Sequence, residues 1–237
     1  PEGQGLKRLV LFDIDGTLIR GGKLWSESFL AALQARFPDV ELPRIAFGGK
    51  TDHQIYREML AAASLHPDSY EACLHDVIAD YLARARAGLA SRIHEMRVLP
   101  GVRELLDRLA TRPEVHLGLL TGNVREGADL KLGAVDLADY FRLGAFGDDH
   151  WNRYLLPPIA VAKARAVLGI EFTGKEVVII GDTLHDVRCG RSIGVRTIAV
   201  GTGFGVDQDE LRADRPDFYF QDLSDVSAAS DAILGEL

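Results

Sequence analysis

Two aspartates near the start of the chain are the residues best suited by type and spacing to carry chemistry. The stretch from Leu9 to Arg20 reads LVLFDIDGTLIR, in which Asp13 directly follows four apolar residues and Asp15 lies two positions further on. Two carboxylates this close repel each other unless a shared proton or a cation relieves them. Mg²⁺ is the simplest such cation, because it prefers oxygen ligands. An acidic turn is the alternative interpretation, since Asp-Gly is a common turn pair and one short motif is ambiguous.

Three later apolar runs also end in polar residues. These residues are Thr121 and Asn123, Asp148 and Asp149, and Asp182 and Asp186. In VVIIGDTLHD the two aspartates are four positions apart, a spacing that on the first turn of a helix can aim Asp186 back toward Asp182. Ligands of an open parallel sheet bind beyond the carboxyl ends of its strands. We therefore expect these side chains to converge on one edge of a sheet.

Hydrophobic periodicity predicts the elements that would position these residues. Apolar runs predict strands at residues 9–12, 116–120, 141–146, 177–180, 197–200 and 218–220. Amphipathic stretches predict helices at residues 101–110, 125–132, 158–168 and 226–234. Strands that alternate with helices imply parallel pairing with right-handed crossovers. The predicted fold class is therefore α/β, with a doubly wound parallel sheet.

Residues 21–92 differ from their flanks, because they contain no convincing strand and have helical periodicity. Ser26 and Asp52 are candidate N-caps, and a third helix is expected to start near Pro67. We predict a core domain of residues 1–20 and 93–237, with residues 21–92 inserted after the first strand as a helical lid over the strand ends.

The composition of the chain argues against some classes of binding partner. The net charge of −8 argues against general nucleic-acid binding. No apolar run approaches the length of a membrane span, and the starting PEGQGLKR lacks the apolar core of a signal peptide. The two cysteines do not have metal-binding spacing. We therefore expect a cytoplasmic protein without nucleic-acid or membrane partners, while the oligomeric state cannot be predicted.

Taken together, the motifs resemble those of the haloacid dehalogenase superfamily of hydrolases, in its phosphatase branch. FDIDGT, LLTGN and GDTLHD occur in the family's order and with its separations, and the helical segment corresponds to the family's C1-type cap. The resemblance implies a Rossmann-like core. It also implies a Mg²⁺-dependent phosphatase that acts on a small phosphorylated metabolite, similar to phosphoglycolate phosphatases.

The resemblance also implies a role for each motif residue. Asp13 matches the nucleophile that forms an aspartyl-phosphate, and Asp15 matches the general acid/base. Thr121 matches the hydroxyl that bonds the transferring phosphoryl group, and Gly122 and Asn123 complete its loop. The positions matching metal ligands are the Asp13 carboxylate, the Asp15 main-chain carbonyl, Asp182 and Asp186.

The basic residue of the family's third motif is where this sequence departs from the pattern. The family usually has a lysine, often followed by proline, before the relevant helix. In WNRYLLPPIAVAKAR, alignment on the prolines places Leu155 there. Arg153 is the preferred substitute, because a guanidinium can hold phosphate with two hydrogen bonds. Lys163 is the alternative, although its position inside a helix also suits an ordinary solvated face.

The stretch GGKTD at residues 48–52 is a further candidate anion site, because it precedes a predicted helix. Lys50 and Thr51 are therefore candidate substrate-binding residues. The alternative interpretation is a turn followed by an N-cap at Asp52.

Other functions remain open at this stage. A phosphomutase of the β-phosphoglucomutase type would use the same chemistry at Asp13 and Asp15. A 2-haloacid dehalogenase needs neither a metal nor Asp15, and the acidic GDTLHD motif argues against it. Phosphonoacetaldehyde hydrolysis would need a Schiff-base lysine, for which Lys50 is the candidate, but Asp15 argues against that enzyme. A non-catalytic binding module is disfavoured because all four motif aspartates are present.

Overall fold

The computed structural model describes residues 7–236 of the chain. Residues 1–6 and 237, which fall within the predicted core domain and include most of PEGQGLKR, lie outside the described residues. The strands are β1 (Arg8–Phe12), β2 (Ile19–Arg20), β3 (Arg97–Val98), β4 (Val115–Leu120), β5 (Gly144–Ala145), β6 (Val177–Gly181), β7 (Arg196–Val200) and β8 (Phe218–Phe220). The helices are α1 (Leu24–Arg36), α2 (Asp52–Ala62), α3 (Tyr70–Arg92), α4 (Val102–Ala110), α5 (Arg125–Gly133), α6 (Leu156–Leu168), α7 (Leu184–Ser192), α8 (Gln208–Ala213) and α9 (Val226–Leu234).

A parallel sheet of six strands forms the centre of the fold. Its order is β5-β4-β1-β6-β7-β8, and every neighbouring pair is parallel. Strand β1 lies between β4 and β6, and its residues Leu9 to Phe12 are all fully buried. A parallel strand that is covered on both faces is apolar throughout, which explains why the residues from Leu9 to Phe12 form a continuous apolar run in the sequence. The carboxyl ends of β1, β4 and β6 therefore lie side by side.

Helices cover both faces of this sheet. Val10 and Phe12 of β1 belong to an apolar cluster that includes α4 and α9, whereas Leu9 and Leu11 belong to a second cluster with α6. Successive strand residues point to opposite faces, so β1 connects the two layers. The predicted doubly wound α/β fold is confirmed.

The segment between β2 and β3 contains α1, α2 and α3. Strands β2 and β3 form an antiparallel pair in which Ile19 lies opposite Val98. Apolar residues of all three helices join the same cluster as Val10 and Phe12; among them are Phe29, Leu33, Tyr56, Val77 and Tyr81. The segment therefore packs together and onto the sheet edge that carries the strand ends. Across residues 7–236, no helix combines the length and hydrophobicity needed to cross a membrane.

Several predicted boundaries were wrong. Ser26 was expected to be the N-cap of α1, but the N-cap is Lys23 and the helix begins at Leu24; Leu24 and Trp25 are both buried on its packed face. The N-cap of α2 is Thr51 and not Asp52, since the Thr51 hydroxyl accepts a hydrogen bond from the Gln54 amide at 2.9 Å.

Two further elements differed from prediction. Strand β5 is limited to the two residues that pair with β4, where residues 141–146 were expected. Helix α8 was not predicted, and its six residues give little periodicity to detect.

Candidate active site

Three aspartates from the predicted motifs converge at the carboxyl edge of the sheet. Asp13 follows β1, Asp182 follows β6, and Asp186 lies on the first turn of α7. One carboxylate oxygen from each lies within 4.8 Å of the others, and all three side chains are buried. Because β1 and β6 are neighbours, the sheet itself brings two of these residues together.

The chain crosses closely over Asp182 after leaving β1. Gly16 has φ +87°, and a Cβ built on it would lie 2.4 Å from Oδ2 of Asp182. Only glycine combines this conformation with this approach. The Thr17 hydroxyl donates to the other oxygen of Asp182 at 3.0 Å. The tight turn after Asp13 therefore fixes the orientation of a carboxylate that is distant in sequence.

Asp186 is held from two directions. Its Oδ2 accepts from the Thr183 amide at 3.0 Å and from the Thr183 hydroxyl at 2.7 Å, which forms a capping box at the start of α7. Its Oδ1 accepts from the Arg153 guanidinium. A carboxylate has about four lone-pair sites, so each oxygen keeps further acceptor capacity. Asp186 can therefore orient Arg153 and still face a cation.

Arg153 occupies the position between the carboxylates. It lies in a short 3₁₀ turn before α6 and is 2% exposed. Its Nη2 lies 3.1 Å from Oδ1 of Asp13 and also bonds Asp186. Lys163 instead pairs with both oxygens of Asp149 at 2.6 Å, and Leu155 is exposed. Of the basic candidates, the structure brings only Arg153 to the cluster.

Burial and mutual repulsion raise the pKa values of Asp13 and Asp182 in the cluster. Burial raises the pKa of Asp13 to about 7, with Arg153 opposing the shift and Asp186 and Asp15 adding to it. The pKa of Asp182 is raised by burial and by the charges of Asp13 and Asp186. Three carboxylates face a single guanidinium here, so their negative charge is not balanced. A buried set of hard oxygen donors with excess negative charge fits a divalent cation such as Mg²⁺.

The Asp15 carboxylate belongs to a second set of polar side chains, formed with Lys131 and Asn123 beside the aspartate cluster. Its Oδ2 accepts from Nζ of Lys131 at 2.6 Å and from Nδ2 of Asn123 at 2.8 Å. Nζ of Lys131 also donates to Oδ1 of Asn123 at 2.6 Å. The Asp15 side chain is 44% exposed, whereas that of Lys131 is 5% exposed. Asp15 is therefore held from one side and open to the cavity on the other.

Sequence reasoning missed Lys131. The residue lies on the buried face of α5 beside Gly127, Ala128 and Leu132. A lysine on the apolar stripe of an amphipathic helix is rarely buried without a partner. The position of Lys131 in the sequence could have indicated a buried lysine with an acidic partner, because every other residue on this face of α5 is small or apolar.

The loop after β4 joins this group. Thr121 is fully buried, and its hydroxyl accepts from Nδ2 of Asn123 at 2.7 Å. A Cβ on Gly122 would lie 2.0 Å from the carbonyl oxygen of Lys50. The Gly122 carbonyl accepts from the Asp52 amide at 2.9 Å. The helical segment therefore makes direct backbone contact with the loop that carries Thr121.

The two substrate-binding candidates of the helical segment are placed differently. Lys50 lines the cavity beside the cluster, and its ammonium bonds Glu58. Thr51 is fully buried, caps α2, and donates to the Trp151 carbonyl at 2.6 Å. Thr51 therefore fixes the position of α2 and does not line the cavity.

A cavity of about 490 Å³ separates the strand ends from the helical segment. Polar residues line its core side, namely Asp13, Asp15, Thr121, Asn123, Lys131, Arg153 and Asp182. On the side of the helical segment it is lined by apolar residues, namely Trp25, Phe29, Phe47, Ile55 and Tyr81. A pocket of this size and mixed lining suits a small organic ligand with one polar end.

The site and the fold define a class of hydrolase, and comparison identifies its family. The model of the haloacid dehalogenase-like hydrolase family matches residues 10–200. The chain belongs to this family. The matched residues include the strand ends that carry Asp13, Thr121 and Asp182.

Curated relatives align over nearly the whole chain. Pyrophosphatase PpaX of Anoxybacillus flavithermus is 26% identical over 223 residues, which cover 92% of this chain and 94% of the relative. Pyrophosphatase PpaX of Halalkalibacterium halodurans is 28% identical over 222 residues, with the same coverage. The family and these relatives confirm the predicted class, a phosphatase-type hydrolase.

Solved structures share the fold. A hydrolase from Pseudomonas syringae has a TM-score of 0.70 at 19% identity, covering 95% of this chain and 98% of its own. A predicted phosphoglycolate phosphatase from Haemophilus somnus has a TM-score of 0.68 at 18% identity, covering 96% of this chain and 100% of its own. These similarities confirm the Rossmann-like core.

Proposed function

We propose that this protein is a Mg²⁺-dependent phosphatase that hydrolyses a small phosphomonoester through an aspartyl-phosphate. The observation that carries the proposal is the position of Asp13. Its buried carboxylate lies beside Asp182, Asp186 and the Arg153 guanidinium, at the floor of a cavity whose wall presents Asp15. Phosphoryl transfer depends chiefly on positioning and on neutralising charge, and this arrangement supplies both.

The carboxylates of Asp13, Asp182 and Asp186 would hold the ion, together with the main-chain carbonyl of Asp15. When bound, Mg²⁺ would reduce the repulsion between Asp13 and an incoming phosphate dianion. The guanidinium of Arg153, 3.1 Å from Oδ1 of Asp13, would contact an oxygen of that phosphate. The Thr121 hydroxyl and the amides of Gly122 and Asn123 would hold the remaining oxygens.

The reaction then has two steps. In the first, a carboxylate oxygen of Asp13 bonds to phosphorus while the bond from phosphorus to the ester oxygen breaks, and Asp15 gives its proton to that oxygen. In the second, Asp15 accepts a proton from a water molecule whose oxygen attacks phosphorus. The bond from phosphorus to Asp13 breaks, which releases inorganic phosphate. Lys131 and Asn123 would keep the Asp15 carboxylate aimed at the ester oxygen in the first step and at the water oxygen in the second.

Residues 21–92 would act as the cap over the core formed by residues 1–20 and 93–237. Contacts between the two support this role. The Asp52 amide donates to the Gly122 carbonyl, and the Asp52 carboxylate accepts from the Val124 amide at 2.8 Å. The cap would exclude water during the first step, and its residues would select the leaving group.

A pyrophosphatase is the second candidate, because the curated relatives carry that name. It would use the same two steps, with phosphate in place of an alcohol as the leaving group. The two candidates therefore differ only in what occupies the part of the cavity beyond Asp15.

The Asp15→Asn substitution tests the proposed function. We expect hydrolysis of p-nitrophenyl phosphate to need Mg²⁺ and to fall by about 10²- to 10⁴-fold in the variant, the usual effect of losing one positioned acid/base. Asp148→Asn is the matched control, since Asp148 is an exposed strand-end aspartate outside the cavity. Metal-independent turnover, or wild-type rates in Asp15→Asn, would contradict the proposal.

Lys131→Met tests the contact that sequence reasoning missed. Methionine keeps the length of the side chain but removes the ammonium that holds Asp15. We expect kcat to fall by about tenfold or more with little change in KM, because misplacing a catalytic group affects the chemical step. Lys163→Met, which removes a lysine paired with Asp149, should leave kcat unchanged. Equal kcat values for the two variants would exclude a positioning role for Lys131.

A further inference from the structure

The part of the cavity beside Asp15 shows what kind of leaving group it can hold. In the proposed mechanism Asp15 protonates the leaving oxygen, so the leaving group must lie against the residues around Asp15. A Cβ on Gly21 would lie 2.9 Å from the Trp25 indole and 3.7 Å from Oδ1 of Asp15. Nζ of Lys131, bonded to Asp15, lies 5.0 Å from the centre of the Trp25 ring. The surface of the Trp25 indole therefore lies close to Asp15, with Gly21 beside both residues.

Further aromatic rings continue this surface. Phe29 packs edge-to-face against Tyr81, with ring centres 5.5 Å apart, and against Phe47 at 5.8 Å. Phe29 and Tyr81 are each 2% exposed. Rings fixed in this way form a rigid wall before any ligand arrives, so an apolar group can pack on them at little entropic cost. We call Trp25, Phe29, Phe47 and Tyr81 the aromatic wall.

The charges near the aromatic wall do not suit a second anion. The ammonium of Lys131 is paired with Asp15, and that of Lys50 is paired with Glu58. Asp52 adds a further carboxylate to the cavity lining, and this carboxylate accepts a hydrogen bond from the Val124 amide. Neither lysine is therefore free of an acidic partner.

Of the three other basic residues of the lining, Arg153 lies at the aspartate cluster, Arg20 ends β2 and Lys23 directly precedes α1. The Arg20 guanidinium donates to the Thr202 carbonyl at 3.0 Å, and Lys23 is exposed. A second phosphate or a carboxylate beside the aromatic wall would thus meet apolar rings and two lysines that are already paired with carboxylates. Both disfavour an anion, because its lost hydration is not replaced.

We infer that the substrate is a phosphomonoester of an uncharged alcohol with an apolar group the size of an aromatic ring. Inorganic pyrophosphate and phosphomonoesters of hydroxy acids, such as phosphoglycolate, are correspondingly disfavoured as substrates. This inference rests on the proposed function, since it uses Asp15 to locate the leaving group. The volume of about 490 Å³ also exceeds what a pyrophosphate needs, whereas it accommodates a phosphate with an attached ring.

The test compares kcat/KM for benzyl phosphate, methyl phosphate, phosphoglycolate and inorganic pyrophosphate, all at saturating Mg²⁺. Benzyl and methyl alcohol are similarly weak acids, so their esters differ mainly in the ring. We expect benzyl phosphate to exceed each of the other three by about tenfold or more. Pyrophosphate has the better leaving group, so this order would run against intrinsic reactivity.

Phe47→Ala provides the second measurement, because Phe47 is half-buried and lies on the segment before α2. We expect the ratio of kcat/KM for benzyl over methyl phosphate to fall by about threefold or more. Phe37→Ala, a half-buried phenylalanine of the same helical segment outside the cavity lining, should leave the ratio unchanged.

The possible failures are distinguishable. A preference of the wild-type protein for pyrophosphate or phosphoglycolate, in a reaction that Asp13→Asn abolishes, would overturn the inference and leave a phosphatase. An unchanged ratio in Phe47→Ala would also overturn it. If none of the four compounds is hydrolysed in an Asp13-dependent reaction, the proposed function itself fails.

Discussion

Replacing Asp13 with asparagine should abolish turnover. An amide oxygen is a poor nucleophile toward phosphorus, and no other described carboxylate lies where it could replace Asp13, because Asp182 and Asp186 are engaged by Thr17, Thr183 and Arg153. Loss of a covalent nucleophile typically lowers kcat by about 10⁴- to 10⁶-fold. Steady-state hydrolysis of p-nitrophenyl phosphate with Mg²⁺ measures the effect. Residual activity above about 1% of wild type would remove Asp13 from the role of nucleophile.

The same variant has a second readout that separates chemistry from folding. Burial raises the pKa of Asp13 in the folded protein from its ordinary 3.8 to about 7. Ionised Asp13 therefore destabilises the folded state progressively as pH rises from 3.8 to about 7, and by a constant amount above that. Asparagine cannot ionise. In chelator at pH 8, Asp13→Asn should melt higher than wild type, by about 2 to 4 °C for each kcal/mol relieved.

The stability difference should become small near pH 4 and disappear below the ordinary pKa of 3.8, where Asp13 is protonated in both states. Magnesium should also reduce it, because the ion would stabilise the ionised wild-type carboxylate. An Asp13→Asn protein that melts lower than wild type at pH 8 in chelator would contradict this account of the cluster.

Replacing Arg153 with alanine should lower both the activity and the stability of the protein. The substitution removes the only described cation bonded to Asp13 and Asp186, and it also removes a contact with the transferring phosphate. Loss of one donor to a developing charge costs about 10²- to 10³-fold in kcat. Because two buried carboxylates lose their partner, the free energy of unfolding at pH 8 in chelator should also fall, by about 3 to 5 kcal/mol.

Lys163→Ala is the matched control for Arg153→Ala. Its pair with Asp149 is partly exposed, so its loss should cost about 1 kcal/mol or less and leave kcat near wild type. Arg153→Lys should recover part of the lost activity, since a lysine keeps the charge without the forked geometry. A larger loss in Lys163→Ala than in Arg153→Ala would transfer the basic role to Lys163.

The strands and the acidic cluster could be predicted because their information is local. A parallel strand covered on both faces leaves a continuous apolar run, and the residue that ends the run is placed at the sheet edge where ligands bind. Asp13 and Asp182 are specified in this way by two short stretches. Arg153 was identified by its residue type and its position before α6, and the structure brings it to the cluster.

The contacts between distant segments could not be predicted. Lys131 and Asp15 are 116 positions apart, and nothing near either residue specifies the other. Thr51 was expected at the ligand, yet its hydroxyl both caps α2 and bonds the Trp151 carbonyl. Lys50 was expected to be available to an anion, but Glu58, two turns along α2, is its partner. In each case the deciding interaction depends on how elements pack, which periodicity does not encode.

The short antiparallel pair of β2 and β3 has a consequence for the history of this architecture. Since Ile19 lies opposite Val98, the helical segment between them begins and ends at adjoining points, whatever its length. Exchanging everything between those two strands for a different segment would leave the strand order of the central sheet intact. Such a junction lets selection reshape the compartment above an unchanged set of reactive groups.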